Sequence, residues 1–596
     1  MNSDLRLLAR SLPYLRPIQI PERALRLAAE TVAISEPVLR SLGRAPRLAE
    51  TPAAPSPRSL LWDARLDEAD RVASDAMAGR FEAIGVARDY GESVWWNDPT
   101  VPRLFRFSLH SFDVAWAMAT DGGAHGRALA RLIERWAADN PPRRSDAWHP
   151  FVIAQRLVNL LGTREAWLPH ASAAVLDSLW RQARLLPWIL ERDVGGNHLI
   201  REATALVVAG SAFGDAALTR RGTGVLVREV ARQILPDGGH CERTPSYHLE
   251  VLTDLAEVRR LLPLSAPLLP LLDRSLARMA TFAASMLHPD GHLPLFNDCW
   301  TWPVPVPRYL TSLGLPAEVH RWFPVSGYAR LGGRDDVMFV DVGRPSPPDL
   351  PAHAHSDLLS VEVSVSGRRL LVNSGTGDYE RGAWRDYWRS TRAHNTIEVD
   401  GADQSETWHS FRMGRRANVL KVHAQHEVAF DAVTAGHDGY LHLPRPVVHK
   451  RSVVRLPEAS LVVDMLSGDG THRVRSFLHA HPDAEVTVRG NLGLVTRGSA
   501  GVTVLSLGPL PLRACSANDH PIDNWHAERL GDRFPSTALV AEGDLVLPAT
   551  LGWVLLPPGA AIPEVGVEER PEGIRVRFGS RTVVIGTGAR PVEVVS

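Results

Sequence analysis

The sequence predicts an α+β multidomain protein, with a helical toroid or bundle followed by an antiparallel β-sandwich. Three observations predict it. The chain has 596 residues, more than a single hydrophobic core usually supports. From about Leu104 to Leu313, apolar residues recur at steps of three and four, as on one face of a helix. From about Val325 they alternate with polar residues, as in half-buried strands.

The helical half is predicted to span residues 103–320. Leu129–Trp136, Leu176–Leu186 and Leu249–Leu262 each place apolar side chains on one helical face. Pro141-Pro142 and Asp237-Gly238-Gly239 fall between such stretches and mark the breaks. Helices in sequence with short breaks are typical of antiparallel helix pairs, and so of a toroid or bundle.

The β half is predicted to span residues 325–596, and residues 1–102 form a separate helical or irregular segment. Ser360–Val365 alternates cleanly, Ser366-Gly367 indicates a turn, and Arg369–Val372 is the return strand. Further strand candidates are Leu461–Met465, Arg473–His479, Val502–Leu507 and Ile574–Ile585. Many short strands without intervening helices favour antiparallel sheets packed as a sandwich.

Composition excludes several function classes. Lys+Arg (66) and Asp+Glu (67) nearly cancel, so no overall basic field attracts nucleic acid or a membrane surface, and any charge that binds a polyanion is local. The sequence contains no run of about 18 apolar residues, so no transmembrane helix is predicted. The first 30 residues lack the apolar stretch of a signal peptide, so we expect a cytoplasmic protein, with a periplasmic or secreted one as the alternative. The oligomeric state stays open.

The first polar cluster follows Gly195-Gly196. Two glycines before Asn197 and His198 predict a tight turn that opens a helix, where an anion can meet free backbone N–H groups. The alternative is that Asn197 only caps the helix and His198 is a surface side chain.

The second polar cluster lies between Leu235 and His248. After a Gly-Gly turn it contains Glu242, Arg243 and Tyr247. A structural loop rarely needs so many ionisable groups, so the segment indicates a functional site. The alternative is a solvated loop with a buried tyrosine.

Two histidine-rich segments precede predicted strands. In an extended segment His353 and His355 point to the same side, which suits one imidazole on a substrate and one on a metal. His394 precedes a second strand, and Asn373 lies between the two segments. Zinc takes histidine nitrogens together with a carboxylate, and an asparagine here supplies only part of such a set.

Together these segments resemble the heparinase II/III family of polysaccharide lyases. Four blocks match in order: Asn197-His198, the Leu-Pro-Asp-Gly-Gly-His block that runs to Tyr247-His248, His353-Ala-His355-Ser-Asp357, and Arg389-Ser-Thr with His394-Asn-Thr. The resemblance implies an incomplete (α/α) toroid followed by an antiparallel β-sandwich, with the active site between them.

The resemblance also implies a reaction, β-elimination at a uronic acid of an acidic polysaccharide. Asn197 and His198 would offset the charge of the uronate carboxylate, and Tyr247 and His353 would serve as acid and base. Further contacts with the substrate are expected from Glu242, Arg243, His248, Arg389 and Trp384. Because tyrosine normally titrates near a pKa of about 10, a base role for Tyr247 requires nearby cations that lower this pKa.

A metal site is implied at His355, residue 373 and His394. Family members that bind zinc have aspartate at the middle position, whereas this chain has Asn373. Its amide oxygen can still bind a cation but carries no charge. Zinc and no metal at all are therefore the two alternatives.

Two other functions compete with a lyase. A glycoside hydrolase would need two carboxylates flanking the bond, roughly 5–10 Å apart, and Glu242 and Asp298 are the available pair. The other is a non-catalytic protein for polysaccharide binding or exopolysaccharide assembly, which Asn373 and the lack of a visible export signal favour.

Overall fold

A computed structural model describes residues 3–50, 54–120, 124–570, 573–586, 588 and 590–595. Helices occupy most of the first half, and antiparallel sheets occupy the second. The predicted fold class is confirmed. Within the described residues, no helix is both long and apolar enough to cross a lipid bilayer.

The α-helices follow one another with short connections. They span Ser3–Ser11, Gln19–Ala33, Glu36–Ser41, Pro57–Asp63, Leu66–Met77, Arg103–Ser111, Val114–Ala117, Gly126–Asp139, Pro150–Gly162, Arg164–Trp167, Ala173–Leu185, Gly196–Phe213, Ala216–Gln233, Pro245–Leu261, Leu269–Ser285, Val306–Ser312 and Ala383–Arg389. A hairpin of Arg80–Ala83 and Val86–Asp89 interrupts the early helices.

Helical periodicity places one face of each long helix in a common core. In Gly126–Asp139 the buried residues include Leu129, Ile133 and Trp136, at steps of four and three. Gly196–Phe213 is buried along most of its length, and it packs against neighbouring helices including Pro150–Gly162 and Ala216–Gln233. The helix that carries Asn197 in its first turn is therefore one of the most firmly packed in this domain.

The second half is built from antiparallel strands. A five-stranded sheet contains Trp322–Phe323, Tyr328–Gly332, Val337–Asp341, Val361–Val365 and Arg368–Leu371. A ten-stranded sheet runs in the order Val419–His426, Asp431–Tyr440, Val447–Arg455, Ser460–His479, Thr537–Leu556, Ala500–Leu507, Leu492–Arg497 and Glu485–Arg489, with Leu512–Ser516 and Ile397–Val399 attached at its long strands. A four-stranded sheet contains Val565–Arg570, Gly573–Phe578, Arg581–Gly586 and Val592–Val595. Short pairs complete the set: Thr407–Trp408 with Arg412–Met413, Asn518–Asp519 with Ile522–Asp523, and Trp525–His526 with Phe534–Pro535.

Two strand predictions need correction. The candidates that begin at Leu461 and Arg473 belong to one 20-residue strand, Ser460–His479. The candidate Ile574–Ile585 is a hairpin, in which Phe578 pairs with Arg581 across a turn at Gly579. Gly579 has a φ of +56°, a left-handed conformation that glycine adopts without strain, and alternation on both sides of it concealed the turn.

The two halves meet between Ser312, where the helix Val306–Ser312 ends, and Trp322, where the first strand of the five-stranded sheet begins. Each half has its own hydrophobic core. A third cluster of buried apolar side chains joins the ten-stranded sheet to the C-terminal four-stranded sheet.

Candidate active site

The site lies where the helical half meets the sandwich. We call the face that carries Asn197 and Tyr247 the helical wall, and the face that carries His353 the sandwich wall. Asn197 opens the helix Gly196–Phe213 after two left-handed glycines, Gly195 (φ +72°) and Gly196 (φ +59°). The expected tight turn at the helix start is present.

The anion at this helix end is one of the protein's own carboxylates. Oε1 of Glu242 accepts a hydrogen bond of 2.8 Å from the backbone N–H of Asn197. A Cβ atom at Gly196 would lie 2.4 Å from that same oxygen, so this approach requires glycine. The partial positive charge of the helix N-terminus thus attracts the Glu242 carboxylate and holds it in place.

His198 lies on the helical wall beside a second carboxylate. Its Nδ1 is 2.9 Å from Oε2 of Glu191, and its ring stacks on Phe151 with 4.0 Å between centroids. The side chain is 29% exposed, so it is accessible to a ligand. His149 faces the other oxygen of Glu191 at 3.8 Å.

His353 on the sandwich wall lies between two carboxylates that come from the helical half. Its Nδ1 is 3.0 Å from Oδ2 of Asp298, and its Nε2 is 3.4 Å from Oε2 of Glu242. Since Glu242 also binds the N–H of Asn197, this single carboxylate connects the two predicted residues across the domain junction.

Asp298, which the sequence offered only as a carboxylate for a hydrolase, is an orienting residue. Its carboxylate makes a bidentate pair with Arg385 at 2.5 and 2.8 Å, and Oδ1 also accepts 2.8 Å from Nε2 of His355. Burial alone would raise the pKa of Asp298. The charge of Arg385 and the hydrogen bonds from His353 and His355 outweigh burial and hold this pKa well below its ordinary value.

Tyr247 packs directly against His353. The two ring centroids are 4.0 Å apart, and the edge of Tyr247 meets Trp300 at 4.8 Å. Its hydroxyl lies 3.2 Å from that of Tyr379 in the sandwich. The structure thus brings Tyr247, His353 and, through Glu242, Asn197 into one cluster.

A base role for Tyr247 would require a lowered pKa, and the structure gives the opposite direction. Burial raises the pKa of Tyr247 far above its usual value, and the nearby negative charge of Asp298 raises it further. The phenol is therefore protonated near neutral pH.

Two of the predicted substrate contacts are structural residues instead: Arg243 at the domain junction and His248 within the helical half. The guanidinium of Arg243 donates to the backbone carbonyls of Arg344 at 2.8 Å and Val325 at 3.1 Å. His248 is 1% exposed, and its Nε2 lies 2.9 Å from the carbonyl of Met279. Arg243 precedes the helix Pro245–Leu261 and His248 lies in its first turn, so both contacts fix the position of this helix.

Arg389 is also a structural residue. It is 1% exposed and donates to backbone carbonyls that include those of Ala354 at 3.1 Å and Arg412 at 3.0 Å. Trp384 stacks on Trp388, and the guanidinium of Arg533 covers its ring at 4.2 Å from the centroid. A sugar could stack on that face of Trp384 only if Arg533 moved.

The predicted metal ligands meet in the sandwich, but with a different carboxylate. His355, Asp357 and His394 each offer a ligand atom within 4.8 Å of the other two. Asn373 lies behind this group, where its Oδ1 accepts 2.7 Å from Ser360 and faces Nδ1 of His394 at 3.2 Å. Asn373 therefore orients His394, and Asp357 replaces it in the candidate ligand set.

The free atoms of this group fit a cation. Nδ1 of His355, Oδ1 of Asp357 and Nε2 of His394 are all buried and have no hydrogen-bond partner among the described residues. Buried polar atoms are almost always paired, so three unpaired lone-pair donors in one place are unusual. Two imidazole nitrogens and one carboxylate oxygen are the set that zinc prefers.

Sequence reasoning missed Arg385, Tyr379 and the roles of Asp298 and Asp357. Asp357 belongs to the His353-Ala-His355-Ser-Asp357 block, and Tyr379 follows Asn373 in a glycine-rich stretch, so proximity to known motifs was an available signal. For Arg385, one arginine among many, no such signal exists.

Family models match both halves of the chain. The model described as heparinase II/III N-terminus matches residues 94–312, and that described as heparinase II/III-like, C-terminal, matches residues 316–554. The first contains Asn197 and Tyr247, and the second contains His353 and the candidate metal ligands.

Individual relatives are distant. FtsZ-localized protein C of Caulobacter vibrioides is 25% identical over 433 residues, which cover 67% of this chain and 73% of that protein. A heparin-sulfate lyase of Pedobacter heparinus is 24% identical over 434 residues, which cover 64% of this chain and 63% of that lyase. The crystal structure of a heparinase III covers 95% of this chain and 97% of its own, with a TM-score of 0.72 and 17% identity, a likeness of fold.

Proposed function

Because the chain belongs to the heparinase II/III family of polysaccharide lyases, we propose that it cleaves an acidic polysaccharide by β-elimination at a uronic acid. The observation that carries this proposal is the packing of Tyr247 against His353, with Nδ1 of His353 held by Asp298. An imidazole and a protonated phenol that face one space form an acid–base pair suited to elimination.

The first requirement is to offset the charge of the uronate. Removal of the C5 proton builds an enolate on the carboxylate, which hydrogen-bond donors stabilise. We assign this task to the side-chain amide of Asn197 and to His198, which is partly exposed on the same helical wall.

We assign the base to His353. The hydrogen bond from its Nδ1 to Asp298 fixes the tautomer that leaves the lone pair on Nε2. Nε2 takes the C5 proton, and the imidazolium formed lies between the carboxylates of Asp298 and Glu242. Glu242 thus contributes by position and charge and need not bind the sugar.

We assign the acid to Tyr247. Because its pKa is raised, the phenol carries its proton near neutral pH. It gives that proton to the glycosidic oxygen as the bond from this oxygen to C4 breaks and the C4–C5 double bond forms. Tyr379, whose hydroxyl lies 3.2 Å away, is placed to return a proton from solvent.

A hydrolase using Glu242 and Asp298 is disfavoured by the state of Asp298. Both of its oxygens bind Arg385, and each also binds a histidine, His353 or His355. A carboxylate with all its lone pairs engaged and 1% exposure has no free oxygen for a sugar or a nucleophilic water.

A second candidate is a protein that binds polysaccharide without cleaving it. The relative from Caulobacter vibrioides favours it, since that protein is named for its localization with FtsZ and not for a reaction. The two candidates differ in turnover by the unmodified protein, because the binding protein would retain the carbohydrate and leave it intact.

We also propose that zinc binds His355, Asp357 and His394. A bound dication would hold the strand entries of the sandwich that carry these residues. It would thereby support the neighbouring His353, while proton transfer remains with the side chains of the cleft.

The test is a screen of the purified protein on heparan sulfate, hyaluronan, chondroitin, alginate and bacterial exopolysaccharides. A lyase produces an unsaturated uronate that absorbs in the ultraviolet, and we expect this absorbance to grow with time on at least one uronate polymer. Heparan sulfate comes first, because the relative from Pedobacter heparinus is named for its action on a heparin-type substrate. Cleavage without this absorbance would contradict the proposal.

A further inference from the structure

The N-terminal segment, residues 3–34, contacts both domains beside the loops that precede Asn197 and His353. It consists mainly of the helices Ser3–Ser11 and Gln19–Ala33. The first helix lies against the sandwich, and the second lies against the helical half. None of these residues belongs to the acid–base cluster described above.

On the sandwich side, the contacts are with the loop around the short strands Thr407–Trp408 and Arg412–Met413. Nε1 of Trp408 donates to Oγ of Ser11 at 3.3 Å. The guanidinium of Arg416 lies 4.2 Å over the centroid of the Tyr14 ring.

On the helical side, the contact is a bidentate ion pair. Nε and NH2 of Arg26 donate to the two carboxylate oxygens of Asp193 at 2.7 and 2.9 Å. Such forked pairs fix orientation as well as distance. Asp193 precedes Asn197 by four residues, so this pair holds the turn that presents Asn197.

One side chain of the segment bridges the two walls directly. Nε2 of Gln19 donates to the carbonyl of Asp193 at 2.9 Å and to the carbonyl of Asp349 at 3.4 Å. Asp349 precedes His353 by four residues, just as Asp193 precedes Asn197. The Oε1 atom of Gln19 accepts 2.8 Å from the backbone of Arg16, which fixes how the amide is turned.

Ion pairs also hold the loop of the sandwich wall that precedes His353. Oδ2 of Asp349 lies 2.6 Å from Nε of Arg16 and 2.6 Å from NH2 of Arg232. Arg232 belongs to the helical domain and Arg16 to the N-terminal segment. Two separate parts of the chain therefore converge on the loop that leads to His353.

The contacts of the segment with the two walls are polar, while Ala29, Ala33 and Ile34 at its far end pack against the core of the helical half. The buried residues of the helix Gln19–Ala33 are Gln19 and Glu30, and its apolar side chains Ile20, Leu25 and Val32 are exposed. Hydrophobic burial is non-directional, whereas hydrogen bonds have defined lengths and angles. Attachment through Gln19 and Arg26 thus fixes the relative position of the two walls and does more than cover a surface.

We propose that residues 3–34 form an interdomain staple and that Gln19 is a positioning residue, which sets the separation of Asn197 from His353. This inference rests on the proposed function, because it concerns the residues assigned to elimination. Loss of the bridge lets the loops before Asn197 and His353 move apart, so the transition state is stabilised less while the substrate still binds.

The test is Gln19→Glu, which keeps the size of the side chain but replaces the bridging amide N–H with an oxygen that repels both carbonyls. Hydrogen–deuterium exchange is expected to rise at residues 191–198 and 346–355 and to stay unchanged in the core helices. On a cleaved substrate, kcat is expected to fall about tenfold, equivalent to one lost hydrogen bond of about 1.4 kcal/mol, with KM changed less than twofold.

The matched control is Arg23→Ala, which removes an exposed side chain from the same helix and is expected to change neither exchange nor kcat. If Gln19→Glu does not fold, Arg26→Gln breaks the pairs of Arg26 with Asp193 and with Glu30, and its effect is measured by exchange at residues 191–198. Unchanged exchange in both loops would overturn the staple. Faster exchange with unchanged kcat would overturn the positioning role.

Failure of the proposed function gives a different result. A parent protein that cleaves no uronate polymer contradicts the lyase, yet the exchange comparison of Gln19→Glu with Arg23→Ala still decides whether Gln19 couples the two walls. Unchanged exchange in an active parent overturns the staple alone.

Discussion

Nδ1 of His353 lies 3.0 Å from Oδ2 of Asp298, and this contact joins a histidine of the sandwich to a carboxylate of the helical half. Since the same carboxylate pairs with Arg385 and His355, the candidate base, the candidate metal group and the domain junction share one buried anion. Changes at this junction are therefore expected to affect both stability and catalysis.

The first prediction concerns the phenol of Tyr247. Tyr247→Phe removes the proposed proton donor but keeps the ring that packs on His353. We expect kcat to fall about 10²–10⁴-fold, the usual contribution of an acid or base, with KM for the polysaccharide nearly unchanged. Steady-state rates from product absorbance measure both constants. Tyr90→Phe removes a phenol in the N-terminal hairpin region and serves as the control. Full turnover by Tyr247→Phe would remove this residue from the mechanism.

The second prediction concerns the pair of Asp298 and Arg385. Asp298→Asn leaves a buried guanidinium without its anion, and breaking such a pair costs about 3–5 kcal/mol. The double variant Asp298→Asn/Arg385→Gln removes both charges, so we expect it to be more stable than the single variant. Urea unfolding measures the free energies. Both variants are expected to lose most activity, because the tautomer of His353 is no longer fixed.

A double variant less stable than Asp298→Asn would contradict this account. It would mean that the unpaired cation is not the source of the loss.

The third prediction is a pH dependence that arises at Glu202. Burial, followed by the nearby charge of Glu191, raises the pKa of this carboxyl well above its ordinary value. For an acid with a raised folded-state pKa, stability is lost as pH rises from the unfolded pKa of about 4.3 towards the folded one. Relative to Glu202→Gln, the parent is therefore expected to lose up to about 1.4 kcal/mol per pH unit over that range.

Urea unfolding of both proteins at several pH values measures this difference. Glu318→Gln is the control, because the Glu318 side chain is 87% exposed. A difference between parent and Glu202→Gln that does not change with pH would refute the assignment.

The fourth prediction concerns metal. Protein prepared with zinc available is expected to hold about one zinc per chain, and a chelator is expected to lower its melting temperature. Asp357→Asn and His394→Ala should each reduce the zinc content, whereas His423→Ala in the strand Val419–His426 should not. Elemental analysis and thermal unfolding measure the two effects. Metal-free protein with a melting temperature that a chelator does not change would contradict the site.

The sequence predicted the architecture because periodicity is local. Leu129, Ile133 and Trp136 reveal a helix face without knowledge of any partner, and the alternation from Ser360 reveals a strand. A 20-residue strand was divided into two candidates because Gly468 and Gly470 interrupt its apolar alternation, while the backbone pairing with Thr537–Leu556 continues around them.

The sequence predicted the site only in part because distance along the chain hides partners. Tyr247 and His353 were identified within motifs, and the structure brings their rings together. The sequence could not indicate that Arg389 is buried against backbone carbonyls while Arg385, four residues earlier, reaches Asp298. Which arginine on one helix faces a carboxylate depends on packing that only the assembled domains determine.

The central claim is that the bond is broken by elimination, in the cleft that contains Tyr247 and His353. Mass spectrometry of the products from a uronate oligosaccharide of known mass tests it most directly. We expect two fragments whose masses sum to that of the substrate, with the unsaturated sugar at the new non-reducing end. Fragments whose masses sum to the substrate plus one water would show hydrolysis and would contradict it.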